Sequence, residues 1–87
     1  METGRTGGWT PYSTTISKEA MDLFNKTKPI GVNYTPLAVA TQVVNGTNYR
    51  FFCNAHVVYP DAPNDAVITQ IYQPLNGEAH ITSITKV

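Results

Sequence analysis

The chain has 87 residues, 41% of them hydrophobic and 14% charged, with six basic and six acidic side chains and a formal net charge of zero. That size supports one small domain, 1–87, and the composition fits a globular chain rather than a disordered one. No basic cluster marks a nucleic-acid or anionic-membrane partner, and no apolar run approaches the ~20 residues that span a bilayer.

Residues 1–12 read as a flexible arm. Three of the six glycines, Gly4, Gly7 and Gly8, fall here beside Thr3, Thr6 and Thr10. The sole tryptophan, Trp9, is placed to anchor the arm's end to the body. The arm lacks the apolar core of a signal peptide. Cys53 is the only cysteine, so no intramolecular disulfide forms, and a reducing, cytoplasmic home is expected; a trimmed leader would leave secretion open. Sequons at Asn25, Asn33 and Asn45 weigh against a glycosylating route, because a sugar on Asn45 would stand on a loop read below as functional.

One helix is predicted, over residues 16–28. Ser17 is its N-cap, Glu19 faces the positive end of the dipole, and Ile16 and Met21 occupy the staple positions. Ala20, Leu23, Phe24 and Thr27 fall on one stripe, and Pro29 stops the helix. From Tyr34 onward the period is that of strands. Pro36, which lacks an N–H, belongs at a strand start or edge. Two strand runs meet at Asn45-Gly46, the strongest short-range hairpin signal. Val43 and Val44 adjoin that turn, so at least one valine should meet solvent at the tip, which points either to a partner surface or to an ordinary hairpin whose valines fold back onto the core.

After the turn, Tyr49, Phe51, Cys53, Ala55 and Val57 share an apolar face, which should pack on the helix, and Arg50, Phe52, Asn54, His56 and Val58 share the other. Residues 59–65 form a loop. Strands are predicted over 66–73 and 78–87, joined by a second hairpin at Pro74-Leu75-Asn76-Gly77. Ile81 and Ile84 are three apart, which calls for a β-bulge or a solvent-facing Ile84. The expected architecture is α+β: one helix across an antiparallel sheet of four strands, or five with the arm.

The chemistry of an enzyme is not apparent. Cys53 and His56 are three apart on one strand, hence on opposite faces, so thiol and imidazole do not meet. The two histidines, the inward cysteine and scattered carboxylates show no metal-ligand spacing, and the glycines precede no strand-to-helix phosphate loop. The reading is a non-enzyme, without cofactor or metal, that binds another protein.

The stretch Gln42-Val43-Val44-Asn45-Gly46 resembles the Gln-x-Val-x-Gly signature of the cystatins, and the continuation Thr47-Asn48-Tyr49 is similar to the stefin branch. The Gly7-Gly8 pair upstream, the single helix, the strands and the second hairpin follow the family's order over nearly the whole chain. The resemblance implies a cystatin-like fold. It also implies reversible inhibition of papain-like cysteine endopeptidases, whose cleft is plugged by the arm and two hairpin loops. Carried over residue by residue, the protease-binding positions are Gly7, Gly8, Gln42, Val43, Val44, Asn45, Gly46, Pro74 and Leu75. The second loop reads Pro74-Leu75 where the family often has Pro-Trp, and Thr6 is small and polar before Gly7. Those departures favour the alternative, a cystatin-fold binding or oligomerising module that does not inhibit. A monomer is expected, with a domain-swapped dimer through the first hairpin as a minority state.

Overall fold

The computed structural model describes residues 7–87. Its elements run α1 (Lys18–Thr27), β1 (Val32–Val44), β2 (Gly46–Val57), β3 (Asn64–Gln73) and β4 (His80–Lys86). The strands form one antiparallel sheet in the order β1-β2-β3-β4, so every neighbour in space is a neighbour in sequence. This is an α+β fold with one helix on one face of a four-stranded sheet.

The helix begins where its cap dictates. Ser17 is extended (φ −65°, ψ 159°), and its side chain accepts a hydrogen bond from the Ala20 N–H at 3.1 Å. Lys28 donates its N–H to the Phe24 carbonyl, and Pro29 follows. The helix is thus two residues shorter at its start and one at its end than predicted, because Ser17 caps it and Ile16 before the cap packs on the core from outside the helix.

Ala20, Leu23 and Phe24 are buried against Val39, Phe51, Cys53, Val67 and Ile71. Phe24 and Phe51 are both 0% exposed, with ring centroids 4.9 Å apart at a 55° tilt. Burying such side chains contributes roughly 1.5–3 kcal/mol each, so this stripe is what holds helix to sheet. Val57, expected in the core, is 38% exposed. It is the last residue of β2, and the buried cluster reaches only as far as the partly buried Ala55.

Two bulges set the faces. Pro36 pairs with Cys53 and Ala38 with Phe52, so Leu37 is the extra residue, and Tyr34 and Val39 come to one face. Gln70 pairs with Ser83 and Ile71 with Ile81, so Thr82 is the extra residue of β4. That puts Ile81 and Ile84 on one face, although Ile84 remains exposed on the edge strand. Pro36 lies inside β1 rather than at its start, but β1 is an edge strand, where a missing N–H removes no interior ladder bond.

The arm covers part of that edge. Gly7 and Thr10 donate their N–H groups to the carbonyls of Val43 and Thr41 at 3.1 and 2.8 Å. Ser13 and Val39 exchange two bonds of 2.9 Å. Trp9 and Ser13 form isolated bridges to Gln42 and Val39, so the arm adds a partial fifth strand rather than a continuous one. The expectation about Thr6 lies outside the described residues.

Candidate functional site

The end of the sheet that carries the β1–β2 turn also gathers the arm and the β3–β4 loop. Each is drawn there by its own chemistry. Val44 pairs with Gly46, so Asn45 alone stands at the apex of the first hairpin. Gly46 takes φ +106°, a value that glycine alone adopts without strain. The expected tight turn at Asn45-Gly46 is present, with the register closing around Asn45.

Gly46 is also a point of close approach. A Cβ at this position would collide with the Gln73 carbonyl oxygen and stand 3.0 Å from both Pro74 Cα and the Tyr72 hydroxyl. The first hairpin therefore rests directly on the backbone that opens the second loop. Tyr72 donates its hydroxyl to the Asn45 carbonyl, fixing the apex. Gln73 shapes the second loop from within, donating from Nε2 to the carbonyls of Pro74 and Gly77 at 3.1 and 3.2 Å.

Gln42 joins the arm to the hairpin. Its Nε2 donates to the Gly7 carbonyl at 3.0 Å, while its Oε1 accepts from Asn48 Nδ2 at 2.8 Å. Gly7 donates in turn to the Val43 carbonyl. One glutamine side chain thus holds three segments in register.

All nine sequence-predicted residues lie in this region or lead into it. Gly7, Gly8, Asn45 and Leu75 are exposed, and Gln42, Val44 and Pro74 are half-buried. Of the two valines it is Val43 that reaches solvent, at 39% exposure, with Leu75 at 75%. Gly46 is buried, and so contributes backbone shape rather than surface. Residues 7–17, 39–49 and 66–77 contain no Asp, Glu, Lys or Arg, and Glu78 follows them directly in the exposed second loop. Tips without charge shed water at lower cost on docking than charged ones would.

Sequence reasoning missed Tyr72, Asn48 and Gln73, which hold the edge together. Tyr72 also packs edge-on against His80, centroids 5.8 Å apart, which places His80 against that ring. Trp9 is the anchor that its place at the end of the arm suggests. Its ring lies 4.0 Å from the Arg50 guanidinium carbon, and Arg50 Nε donates to Gln70 Oε1 at 3.0 Å.

Cys53 is 0% exposed on the helix-facing side. Burial pushes its thiol from the ordinary 9.0 to about 11, an effect that the Thr69 hydroxyl beside it partly offsets. Such a thiol carries almost no thiolate at neutral pH. Among the described residues no group of three or more His, Cys, Asp and Glu is placed to hold a metal, and no helix is long and apolar enough to cross a membrane. Compared with family models, curated proteins and solved structures, the chain matches none.

Proposed function

We propose that this protein is a stefin-like reversible inhibitor of papain-like cysteine endopeptidases, built on a cystatin-like fold. The observation that carries the reading is the Gln42 bridge, which ties the Gly7 carbonyl of the arm to Asn48 of the first hairpin while Gly46 rests on the second loop. Arm, first tip and second loop thereby form one narrow edge whose tips carry no charge, the shape that a protease cleft accepts. The first tip is held by ladder and side-chain bonds before docking, so it loses little conformational freedom on binding. Val43 and Leu75 supply the exposed apolar surface, worth roughly 1.5–3 kcal/mol for each side chain fully buried.

Inhibition follows from occupancy. The tips stand in the cleft with Asn45 foremost, and the arm's backbone runs into the non-primed subsites without presenting a scissile bond to the nucleophile. The protein itself is proposed to act by binding alone, a reading supported by the depth and high pKa of Cys53.

The second reading, a cystatin-fold binding module without inhibition, draws support from Leu75. A leucine offers less contact area than the tryptophan that anchors many interfaces. Titration of a papain-like enzyme with this protein distinguishes the two. Reversible loss of activity at near-equimolar inhibitor supports the first reading, and full protease activity at large excess supports the second.

A further inference from the structure

Both hairpin tips carry the same dipeptide, Asn45-Gly46 in the first and Asn76-Gly77 in the second. Asn-Gly is chemically labile, because glycine has no Cβ to shield its nitrogen from the preceding side chain. We propose that Asn76 is a self-deamidation site of this protein, and that the fold holds Asn45 out of the same reaction.

The reaction needs only water. The Gly77 backbone nitrogen gives up its proton and bonds to Asn76 Cγ, the bond from Cγ to the side-chain nitrogen breaks, and ammonia leaves. The five-membered imide that results is opened by water at either carbonyl, giving aspartate or isoaspartate. The amide is exchanged for a carboxylate with no change of oxidation state.

Ring closure requires the asparagine side chain to swing over a following peptide that is free to turn. At the first tip that freedom is absent. Val44 and Gly46 are paired, the Asn45 carbonyl accepts from Tyr72, and Gly46 is buried with its α-carbon packed against the backbone of Gln73 and Pro74. At the second tip it is present. Asn76 and Gly77 lie between β3 and β4, outside both strands, and residues 75–78 are all exposed. A Cβ added at Gly77 would meet only the Pro74 ring, at 3.6 Å, and the bond from Gln73 Nε2 falls on the Gly77 carbonyl, beyond the peptide that must turn. Among the described residues the Gly77 N–H makes no backbone hydrogen bond across the loop.

The product carries a new negative charge beside Leu75, in a loop whose existing carboxylate is Glu78. Any effect of that charge on protease binding rests on the proposed function; the modification does not.

The test is incubation of the folded protein in mildly alkaline buffer, followed by peptide mass spectrometry. Cleavage after Arg50 and Lys86 puts Asn45 and Asn76 on separate peptides, and fragmentation locates each gain of about 1 Da. Asn76 is expected to convert, with an isoaspartyl product, while Asn45 reacts about tenfold more slowly or less, since it must await local opening. In denaturant the two sites should react at similar rates. Asn76→Gln should abolish the modification of the second tip, and Tyr72→Phe should accelerate that of Asn45. Equal rates in the folded protein, or faster reaction at Asn45, would overturn the proposal.

Discussion

Tyr72 donates its hydroxyl to the carbonyl of Asn45, so a residue near the end of β3 holds the apex of the hairpin between β1 and β2. The first tip is therefore tied to the end of β3 from which the second loop springs. Tyr72→Phe removes the donor and leaves the ring against His80. The expected cost is about 0.5–1.5 kcal/mol of stability, the usual net worth of one hydrogen bond. Amide hydrogen exchange at the first tip should accelerate more than the fall in global stability accounts for. Unchanged exchange there would mean that the bond does not hold the tip.

Gly46 supplies a second test of tip-to-tip packing. Gly46→Ala combines strain at φ +106° with a collision against the Gln73 carbonyl, for an expected loss of about 2–4 kcal/mol. Gly77→Ala has nearly the same φ, +108°, but meets only the Pro74 ring, so its loss should be about 1–2 kcal/mol. Urea denaturation of the pair isolates the collision from the shared backbone strain. Equal losses would show that the tips do not press together.

Local chemistry made much of this fold legible. Ser17, Pro29 and the Asn45-Gly46 turn each act through their nearest neighbours, and the alternation along β2 correctly separated Phe51 and Cys53 from Arg50 and Phe52. Two isoleucines three apart allowed either a bulge or a solvent-facing Ile84, and the structure has both. The joining of the tips could not. Tyr72 and Gln73 read as ordinary strand residues, and their roles appear only when register sets β3 beside β2. Leu37 gave no sign of its bulge, since a bulge is fixed by pairing with β2 rather than by the strand's own pattern.

The arm should separate into two functional parts. Removing residues 1–8 eliminates the Gly7 bonds to Val43 and Gln42, which lie at an exposed edge, so melting should move little. Trp9→Ala removes the ring from over Arg50, with an expected loss of about 1–2 kcal/mol from cation–π attraction and burial together. Against a papain-like protease, the truncated protein should dissociate faster with little change in association rate. A large drop in melting temperature on truncation would assign the arm a structural role instead.

Val43→Asp tests the proposed protease-binding edge directly. Val43 is the more exposed of the two valines, so an aspartate there should leave the fold and its denaturation midpoint nearly unchanged. In the cleft, however, the carboxylate would lose its water without gaining a partner, at a cost of several kcal/mol. Inhibition should weaken at least a hundredfold, since each ~1.4 kcal/mol is a factor of ten. A Val43→Asp variant that inhibits as the parent does would remove the first tip from the interface. Val44→Asp is expected to cost stability as well, because Val44 is already half-buried in the free protein.

The buried thiol predicts how the protein responds to alkali. Well below pH 9.0 Cys53 is protonated both folded and unfolded, and contributes no pH dependence. Between 9.0 and about 11 the unfolded chain releases its proton while the folded protein keeps it. The folded state then holds the extra proton, so stability falls as pH rises through that window. The slope approaches ~1.4 kcal/mol per pH unit, for a total of about 2–3 kcal/mol. Tyr49, raised by burial and then by Glu19, adds a loss of the same sign above its ordinary 10.0. Cys53→Ala lowers stability at neutral pH through the vacated volume, yet its profile between pH 9 and 11 should be flatter than the parent's. Urea midpoints measured across that range decide the matter, and parallel profiles for the two proteins would show that the thiol does not set the alkaline limit.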